Sequence, residues 1–240
     1  MVSEHEERNL RVLRHIGRYR LTLRETLSRL FLDGREAGNL VQHLRAEGLV
    51  RARSRRDGEG LPKGISYYQL TAKGTRAAGF KDESRARPLA QAELHKALSV
   101  LWFCCMRKQR RDRLEGDELA RLFGLEELPA PLRGHPHCRD LNWKHPVLHQ
   151  AYVPSPSALL ENVARGVSRR INKARAEPCL QSLLANRSYG ILVLIDEPGR
   201  RKAIKERLGQ LHLHEAARVT LAQAPSPQTL ADALSTLISS

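Results

Sequence analysis

The chain lacks the long apolar segments and the cysteine spacing that mark membrane and secreted proteins. No apolar run approaches the roughly 18 residues of a transmembrane helix, and the N-terminus has no signal-peptide hydrophobic region. The four cysteines show no pair with the two-residue spacer of a zinc knuckle. We therefore expect a cytoplasmic protein with no membrane contact, whose cysteines stay reduced.

The sequence also lacks the motifs of several large enzyme classes. It has no Gly-rich loop ending in Lys-Ser/Thr, no Gly-x-Ser-x-Gly elbow and no His-Glu-x-x-His helix. Asp196-Glu197 is the only good acidic pair of the C-terminal region, and a hydrophilic stop before a Pro-Gly turn explains it. The histidines from His135 to His149 raise the question of zinc, but a polar loop beside buried cysteines explains them better. We predict no catalytic residue, no metal and no cofactor, and therefore no enzyme.

Positive charge is what the chain has in excess. Lys and Arg number 41 against 26 Asp and Glu, which gives a formal net charge of +15 over 240 residues. A GC-rich genome explains a preference for Arg over Lys, but it does not explain this excess. A protein with such an excess of positive charge favours polyanionic partners, because binding to phosphates releases condensed counterions.

The most informative segment begins with a helix predicted from Arg35 to Glu47 and closed by Gly48. On a helical wheel its apolar residues cluster on one side. The opposite side carries Arg, Asn and Gln, whose paired donors and acceptors match base edges in the major groove of DNA. The apolar residues are Ala37, Leu40, Val41 and Leu44, and those opposite are Arg35, Asn39, Gln42 and Ala46.

A basic β-wing is predicted directly after this helix. Residues 50–55 and 65–70 alternate with period two, and a Gly- and Pro-rich turn at 57–64 separates them. A helix with a polar face followed by such a hairpin predicts binding to double-stranded DNA. The predicted DNA-binding residues are Arg35, Asn39, Gln42, His43, Arg45, Arg51, Arg53, Arg55, Arg56 and Lys63.

Two earlier helices complete a winged helix-turn-helix domain over residues 1–80. Leu10, Leu13 and Ile16 mark the first helix by their three-residue spacing. Thr22 to Glu25 reads as a capping box that opens the second, which ends at Asp33-Gly34. Two helices, a short turn and a third helix form the core of this domain class.

The rest of the chain predicts a linker at 81–93 and a helical segment with an α/β domain at 94–240. A long helix from 90 to 113 has a basic end at 107–111, and a loop covers 129–146. Strands and helices then alternate, which predicts parallel strand pairs. The predicted fold class is α+β, with the winged helix-turn-helix domain followed by a smaller α/β domain whose sheet is partly parallel. The predicted strands are 147–153, 189–196 and 216–221, and the helices are 116–123, 157–185 with a break at Pro178, 200–211 and 226–237.

The helix predicted at 157–185 carries a basic ridge, several of whose residues share one face. The cations are Arg165, Arg169, Arg170, Lys173 and Arg175. Contacts to a DNA backbone and a solvated helix side explain this ridge equally well.

The ordered combination of motifs resembles the replication-relaxation family of plasmid and mobile-element proteins. The resemblance is carried by His43 to Val50, Tyr68 to Gly74, Leu94 to Leu98 and Ile191 to Ile195, and it is best in the first third of the chain. It implies a C-terminal part of restriction-endonuclease type, with an acidic strand before its long helix. Here the matching strand, His149 to Pro154, has no carboxylate, so the resemblance implies a degenerate nuclease-like part.

Three functions follow from these patterns. The chain is a sequence-specific transcriptional regulator, a replication or transfer accessory factor of a plasmid or mobile element, or a metal-dependent nuclease with an unrecognised carboxylate site. The first two require the same DNA-reading domain. We also expect a homodimer, paired through the apolar stripe from Leu94 to Cys105 or through the α/β domain. Other DNA-processing or transcription proteins are further expected partners.

Overall fold

The sequence folds into a mixed α+β structure with a two-stranded sheet and a partly parallel five-stranded sheet. The computed structural model describes residues 3–54, 62, 64–140 and 147–238. It divides into two compact units, which are residues 1–101 together with 226–240, and residues 102–225. No helix within the described ranges is both long enough and apolar enough to cross a membrane.

The first unit begins with helices and a hairpin. In chain order its elements are α1 (Glu4–Tyr19), α2 (Arg24–Phe31), α3 (Gly38–Ala46), β1 (Val50–Ser54), β2 (Ser66–Leu70), α4 (Ala72–Ala77), a 3-10 turn (Glu83–Ala86) and α5 (Gln91–Leu101). The first three helices and the hairpin share one hydrophobic core, because the apolar side of each faces the others. Its buried residues are Val12, Leu13, Ile16, Leu27, Leu32, Ala37, Leu40, Val41, Leu44, Val50, Tyr68, Leu70 and Ala78.

Helix α1 confirms the predicted first helix and begins at a capping box that the sequence analysis did not identify. The Ser3 hydroxyl accepts from Glu6 N at 3.2 Å, and Glu6 Oε2 accepts from Ser3 N at 2.7 Å. These bonds satisfy backbone groups that the first turn of a helix leaves unpaired. Leu13 and Ile16 are buried, as their spacing predicted.

Thr22 does not cap α2 as its sequence predicted. Its backbone pairs with Tyr68 through two hydrogen bonds of 2.9 Å, from Thr22 N to Tyr68 O and from Tyr68 N to Thr22 O. Because this bridge fixes Thr22 beside the hairpin, α2 begins later, after Leu23, whose side chain makes no capping bond. The bridge adds a third, one-residue strand position to the two-stranded sheet.

Strands β1 and β2 pair antiparallel, from Val50 opposite Leu70 to Ser54 opposite Ser66. Side chains alternate between the two faces of a strand. Val50 and Leu70 therefore share the face that packs on the helical core, together with Tyr68. The hairpin predicted from the period-two pattern is confirmed over these described residues.

The segment predicted as a linker, residues 81–93, is bonded to the rest of the first unit. Arg85 donates to Gly17 O at 2.7 Å, and its guanidinium carbon lies 4.2 Å from the ring centroid of Phe80. Gly17 lies against the same ring, since a Cβ at this position would come within 2.0 Å of it. These contacts hold the segment to α1, which explains why the first unit continues beyond residue 80.

The second unit is built on the five-stranded sheet. Its elements are a π-helical turn (Trp102–Met106), β3 (Arg111–Leu114), α6 (Gly116–Phe123), β4 (His137–Asp140), β5 (Leu148–Tyr152), α7 (Leu160–Arg175), α8 (Pro178–Ala185), β6 (Tyr189–Ile195), α9 (Pro198–Gln210), α10 (Leu213–Ala216) and β7 (Arg218–Gln223). The strands lie side by side in chain order. The pairs from β3 to β5 are antiparallel, and those from β5 to β7 are parallel. A final helix, α11 (Leu230–Ile238), belongs to the first unit.

The parallel part of the sheet follows the sequence prediction. Strands β5, β6 and β7 coincide with the three predicted strands to within two residues at each end, and the long helix breaks before Pro178. Every residue of β6 is buried, as a continuous apolar run predicts for a strand covered on both faces. Helices α7 to α9 form the crossover connections that parallel pairing requires.

Strands β3 and β4 correct the predictions of a basic helix end at 107–111 and of a loop at 129–146. Arg111 opens β3 because it pairs with Asp140, which lies opposite it on β4, with Nε 2.5 Å from Oδ1. Neither segment shows an apolar alternation that would indicate a strand. The α/β unit is slightly the larger of the two, where the sequence predicted a smaller domain.

Candidate nucleic-acid interface

Helix α3 begins at Gly38, later than predicted, because a tight turn precedes it. Asp33 and Gly34 both adopt left-handed backbone, with φ of 51° and 84°. Arg35 closes this turn, since its backbone N and its Nε both donate to Leu32 O, at 2.9 and 3.1 Å. Arg35 therefore lies before α3 and not on its exposed side, which corrects its predicted place on the helix.

The exposed side of α3 carries the polar residues that the helical wheel predicted. Leu40, Val41 and Leu44 are buried in the core and fix which side of the helix faces inward. The side away from the core is then available to a partner. Its exposed residues are Asn39, Gln42, His43, Arg45 and Ala46.

The beginning of α4 holds the C-terminal end of α3. The C-cap of α3 is Glu47 and not Gly48 as predicted, but Gly48 adopts left-handed backbone (φ 66°) directly after it. The Thr71 hydroxyl donates to Gly48 O at 2.6 Å, and Thr71 N donates to Leu49 O at 3.0 Å. Thr71 also caps α4, because its oxygen accepts from Gly74 N at 3.0 Å. We call Gly48, Leu49, Thr71 and Gly74 the Thr71 clamp; it ties the end of α3 to the residue that follows β2.

A shallow groove runs between the C-terminal half of α3 and strand β1. Its lining residues are Gln42, Arg45, Ala46, Val50, Arg51 and Ala52. The first three belong to α3 and the others to β1, so the groove joins the helix to the hairpin. It therefore extends the polar side of α3 toward the predicted wing.

The arginines of β1 are less exposed to solvent than the polar side chains of α3. The guanidinium of Arg51 donates to Ala86 O, in the 3-10 turn. Both Arg51 and Arg53 are half-buried. The structure therefore brings Asn39, Gln42, His43 and Arg45 together on α3, and Arg51 lines the groove beside Gln42 and Arg45. Arg35 lies apart from them, before the helix. Arg55, Arg56 and Lys63, the other predicted wing cations, lie outside the described residues.

Two basic residues that the sequence analysis did not single out support this region. Arg24 Nε donates to Tyr68 Oη at 2.8 Å, and Lys73 Nζ donates to Glu47 O at 2.7 Å. Lys73 thus bonds one of the carbonyls that the end of α3 leaves unpaired. Its place two residues after the Thr71 cap, in the first turn of α4, was the signal that the sequence offered. No sequence signal indicated the role of Arg24, because its partner is 44 residues away.

The second unit contains a buried polar cluster on β3, β4 and β5. Asp140 pairs with Arg111, and His149 Nε2 lies 3.8 Å from Asp140 Oδ2. Burial raises the pKa of Asp140, but His149 and the Arg111 charge together hold it below its ordinary value. The guanidinium carbon of Arg111 also lies 4.2 Å from the ring centroid of Phe103. Arg111 is therefore committed to this cluster and does not serve as the exposed helix-end cation that the sequence predicted.

His137 is buried on β4, with only 1% of its surface exposed. Its Nδ1 lies 3.0 Å from His135 O, a contact in which the ring nitrogen donates. Burial lowers the pKa of His137 to about 3. The imidazole is therefore neutral near pH 7 and adds no charge to the positive surface.

No metal site is formed by the described part of the chain. Within these ranges, no group of three or more His, Cys, Asp or Glu side chains could hold a metal ion. His145, which the sequence analysis considered for zinc, lies outside the described residues. At the end of β6, Asp196 is buried and Glu197 is exposed.

No protein-family model, curated protein or solved structure matches this chain. The resemblance to the replication-relaxation family therefore remains a prediction from the sequence.

Replacing Gly74 with Ala should loosen the Thr71 clamp. A Cβ at this position would lie 1.9 Å from Leu49 O, so the backbone must move. We expect the free energy of unfolding to fall by about 1–3 kcal/mol, the usual cost of overpacking. Gly209→Ala in α9 is the matched control, because nothing lies within 4 Å of a Cβ there. Chemical denaturation measures both, and equal stability of the two variants would contradict the clamp.

Acid should destabilise the fold through His137. Its folded-state pKa of about 3 lies below the ordinary 6.5, so the unfolded chain binds the proton first. The stability contribution is intact above pH 6.5 and is lost as the pH falls from 6.5 toward 3. Imidazole chemical shifts followed by NMR should show no protonation of His137 at pH 5 to 6 while the protein stays folded. An imidazole that titrates near its ordinary pKa in the folded state would contradict this account.

Proposed function

We propose that the first unit is a winged helix-turn-helix domain that binds double-stranded DNA sequence-specifically, with α3 in the major groove. The observation that carries the proposal is the two-sided environment of α3. Leu40 and Leu44 anchor one side in the core, while Asn39 and Gln42 are exposed on the other. Asn and Gln side chains offer the paired donor and acceptor that match an adenine edge.

The order of elements around α3 supports the same proposal. Three helices precede a hairpin, and Thr22 pairs with β2 at Tyr68 between the first and second helices. A helix-turn-helix places its recognition helix after a short turn, as the left-handed residues Asp33 and Gly34 do here. The hairpin follows α3 after Gly48 and adjoins it along the groove. In this proposal the hairpin is the wing.

The positive charge of the chain supplies the non-specific part of the proposed binding. Arg45 is exposed on α3 beside the groove, where a phosphate contact would orient the helix. The net charge of +15 raises the affinity for any duplex, because counterions are released on binding. Base contacts from Asn39 and Gln42 would then select among sequences.

In the cell we propose that this protein acts as a transcriptional regulator or as a replication or transfer accessory factor of a plasmid or mobile element. Both roles require the same DNA-reading surface, and both bring contact with other DNA-processing or transcription proteins. We propose binding without catalysis, since strand β5 contains no carboxylate that could hold a metal ion. The genomic position of the bound sites, at the protein's own promoter or at an origin, separates the two roles.

Replacing Asn39 and Gln42 together with Ala should reduce sequence preference. We expect a loss of about 1–3 kcal/mol of discrimination per base contact, with little change in affinity for random DNA. Selection of bound duplexes from a randomised library, followed by sequencing, measures this for the wild type and the variant. The matched control is Gln181→Ala with Asn186→Ala, because these exposed residues lie on and beside α8. Recovery of the same motif with unchanged enrichment by the Asn39 and Gln42 variant would contradict the assignment.

We also propose that the protein binds DNA as a homodimer, but not through the stripe that the sequence suggested. Leu94, Leu98, Leu101, Trp102 and Cys105 are all buried within the chain, so they cannot pair two copies. A dimer would read two half-sites related by two-fold symmetry, which multiplies specificity.

The solution mass tests this pairing. Light scattering should give the mass of two 27.1 kDa chains, and the selected motif should be an inverted repeat. The mass of one chain together with a motif without repeats would refute the dimer.

A further inference from the structure

Helices α7 and α9 pack side by side on one face of the five-stranded sheet. Val163, Val167 and Ile171 of α7 share a core with Ile204 and Leu208 of α9 and with the buried residues of β6. Arg207 of α9 reaches α7 and pairs with Glu161, with Nη2 2.8 Å from Oε2. Because both helices bury their apolar side against the same sheet, their opposite sides both face away from it.

The outer side of α7 carries a row of cations at one-turn spacing. Arg165, Arg169 and Lys173 are all exposed, four residues apart, and none forms a salt bridge with another described residue. At 1.5 Å per residue, neighbours in the row are separated by about 6 Å along the helix axis. A side chain four residues from the next lies on the same side of a helix, so the three charges point outward together.

Arg170 does not belong to this row, although the sequence pattern included it. Its guanidinium carbon lies 3.9 Å from the ring centroid of Tyr152, and its Nη1 donates to Gly166 O at 2.9 Å. Burial lowers the pKa of Arg170. The fold thus separates one inward-facing arginine from three outward-facing cations on the same helix.

Helix α9 extends the positive surface. Arg201, Lys202 and Lys205 are exposed there, again without a salt bridge within the described chain. The acids of the two helices are Glu161, which is paired with Arg207, and Glu206. Arg200 fixes the start of α9 by donating to Pro156 O and, at 2.5 Å, to Ala158 O. The two helices are fixed in position, and one of their two acids is neutralised by its pairing with Arg207. Their exposed positive charges are therefore complementary to a regular polyanion.

We propose that this surface of α7 and α9 is a second DNA contact, which binds the phosphate backbone of a duplex without reading its sequence. The proposal does not depend on the role of α3, because the two surfaces lie in different units of the chain. Duplex DNA is the occupant that fits, since it presents one negative charge about every 1.7 Å along its axis. Arg and Lys side chains bind such phosphates without base selectivity.

The test compares two pairs of Arg→Gln substitutions in the full-length protein. Arg165→Gln with Arg169→Gln removes two cations of the row. Arg121→Gln with Arg133→Gln removes the same charge from the same unit, but those arginines are paired with Asp117 and Glu127 at 3.2 and 2.9 Å. The affinity for a duplex of random sequence is measured by fluorescence anisotropy over a series of salt concentrations.

The row variant should bind the random duplex more weakly than the control pair. Its plot of log affinity against log salt should also be flatter than that of the wild type, by roughly 0.9 for each lost phosphate contact. A second variant, Lys202→Gln with Lys205→Gln, should behave in the same way. Equal losses in the row variant and the control pair would overturn the proposal, because only total charge would then matter.

Two further measurements separate this proposal from other partners and from the role of α3. Binding of the wild type to phosphatidylserine vesicles that depends on Arg165 and Arg169, with unchanged DNA affinity, would overturn it in favour of a membrane surface. The Asn39 and Gln42 variant should retain the random-duplex affinity of the wild type. A selection that yields no motif, combined with loss of random-duplex binding in the row variant, would reject the proposed reading by α3 and leave this inference standing.

Discussion

The position of α3 depends on the backbone pairing at Tyr68, where several parts of the first unit meet. Tyr68 exchanges two hydrogen bonds with Thr22, lies opposite Ala52 in the hairpin, and accepts from Arg24 through its hydroxyl. Its ring shares a core with Leu44 of α3. One residue thus joins the segment before α2, the strand after α3 and the core beneath α3. The DNA reading that we propose for α3 needs such support, because side chains can select bases only if the helix axis is fixed.

The structure divides the arginines of this basic chain into two groups. Arg111 pairs with buried Asp140, Arg170 stacks on Tyr152, and Arg51 bonds a backbone carbonyl. These residues hold elements together, and their charge is partly or wholly shielded from solvent. Others, such as those exposed on α3 and α7, face outward and form no salt bridge with any of the residues that the structure describes. Only the second group can contribute fully to a phosphate-binding surface, so net charge alone overstates the cations available to a partner.

Much of the secondary structure could be predicted, whereas several individual residue roles could not. The apolar side of α3, the hairpin and the buried strand β6 follow from local periodicity, which is visible in any window of the sequence. Strands β3 and β4 show no such periodicity, because charged residues such as Arg111 and Asp140 satisfy each other across the sheet. The predicted beginning of α3 is wrong for a similar reason. Arg35 is compatible with a helix, but its bond to Leu32 O places it in the turn before α3.

The sequence by itself determined the elements whose burial pattern repeats along the chain, and it determined which residue types α3 exposes. Neighbours in the chain set those patterns, so no distant contact is needed to recognise them. Only the tertiary structure decided which contacts individual polar residues make. Thr22 became a strand partner of Tyr68, and Arg170 turned inward while Arg169 stayed exposed. Their partners lie far away in sequence or across an element boundary, and a hydrogen bond or ring contact with such a partner leaves no periodic trace.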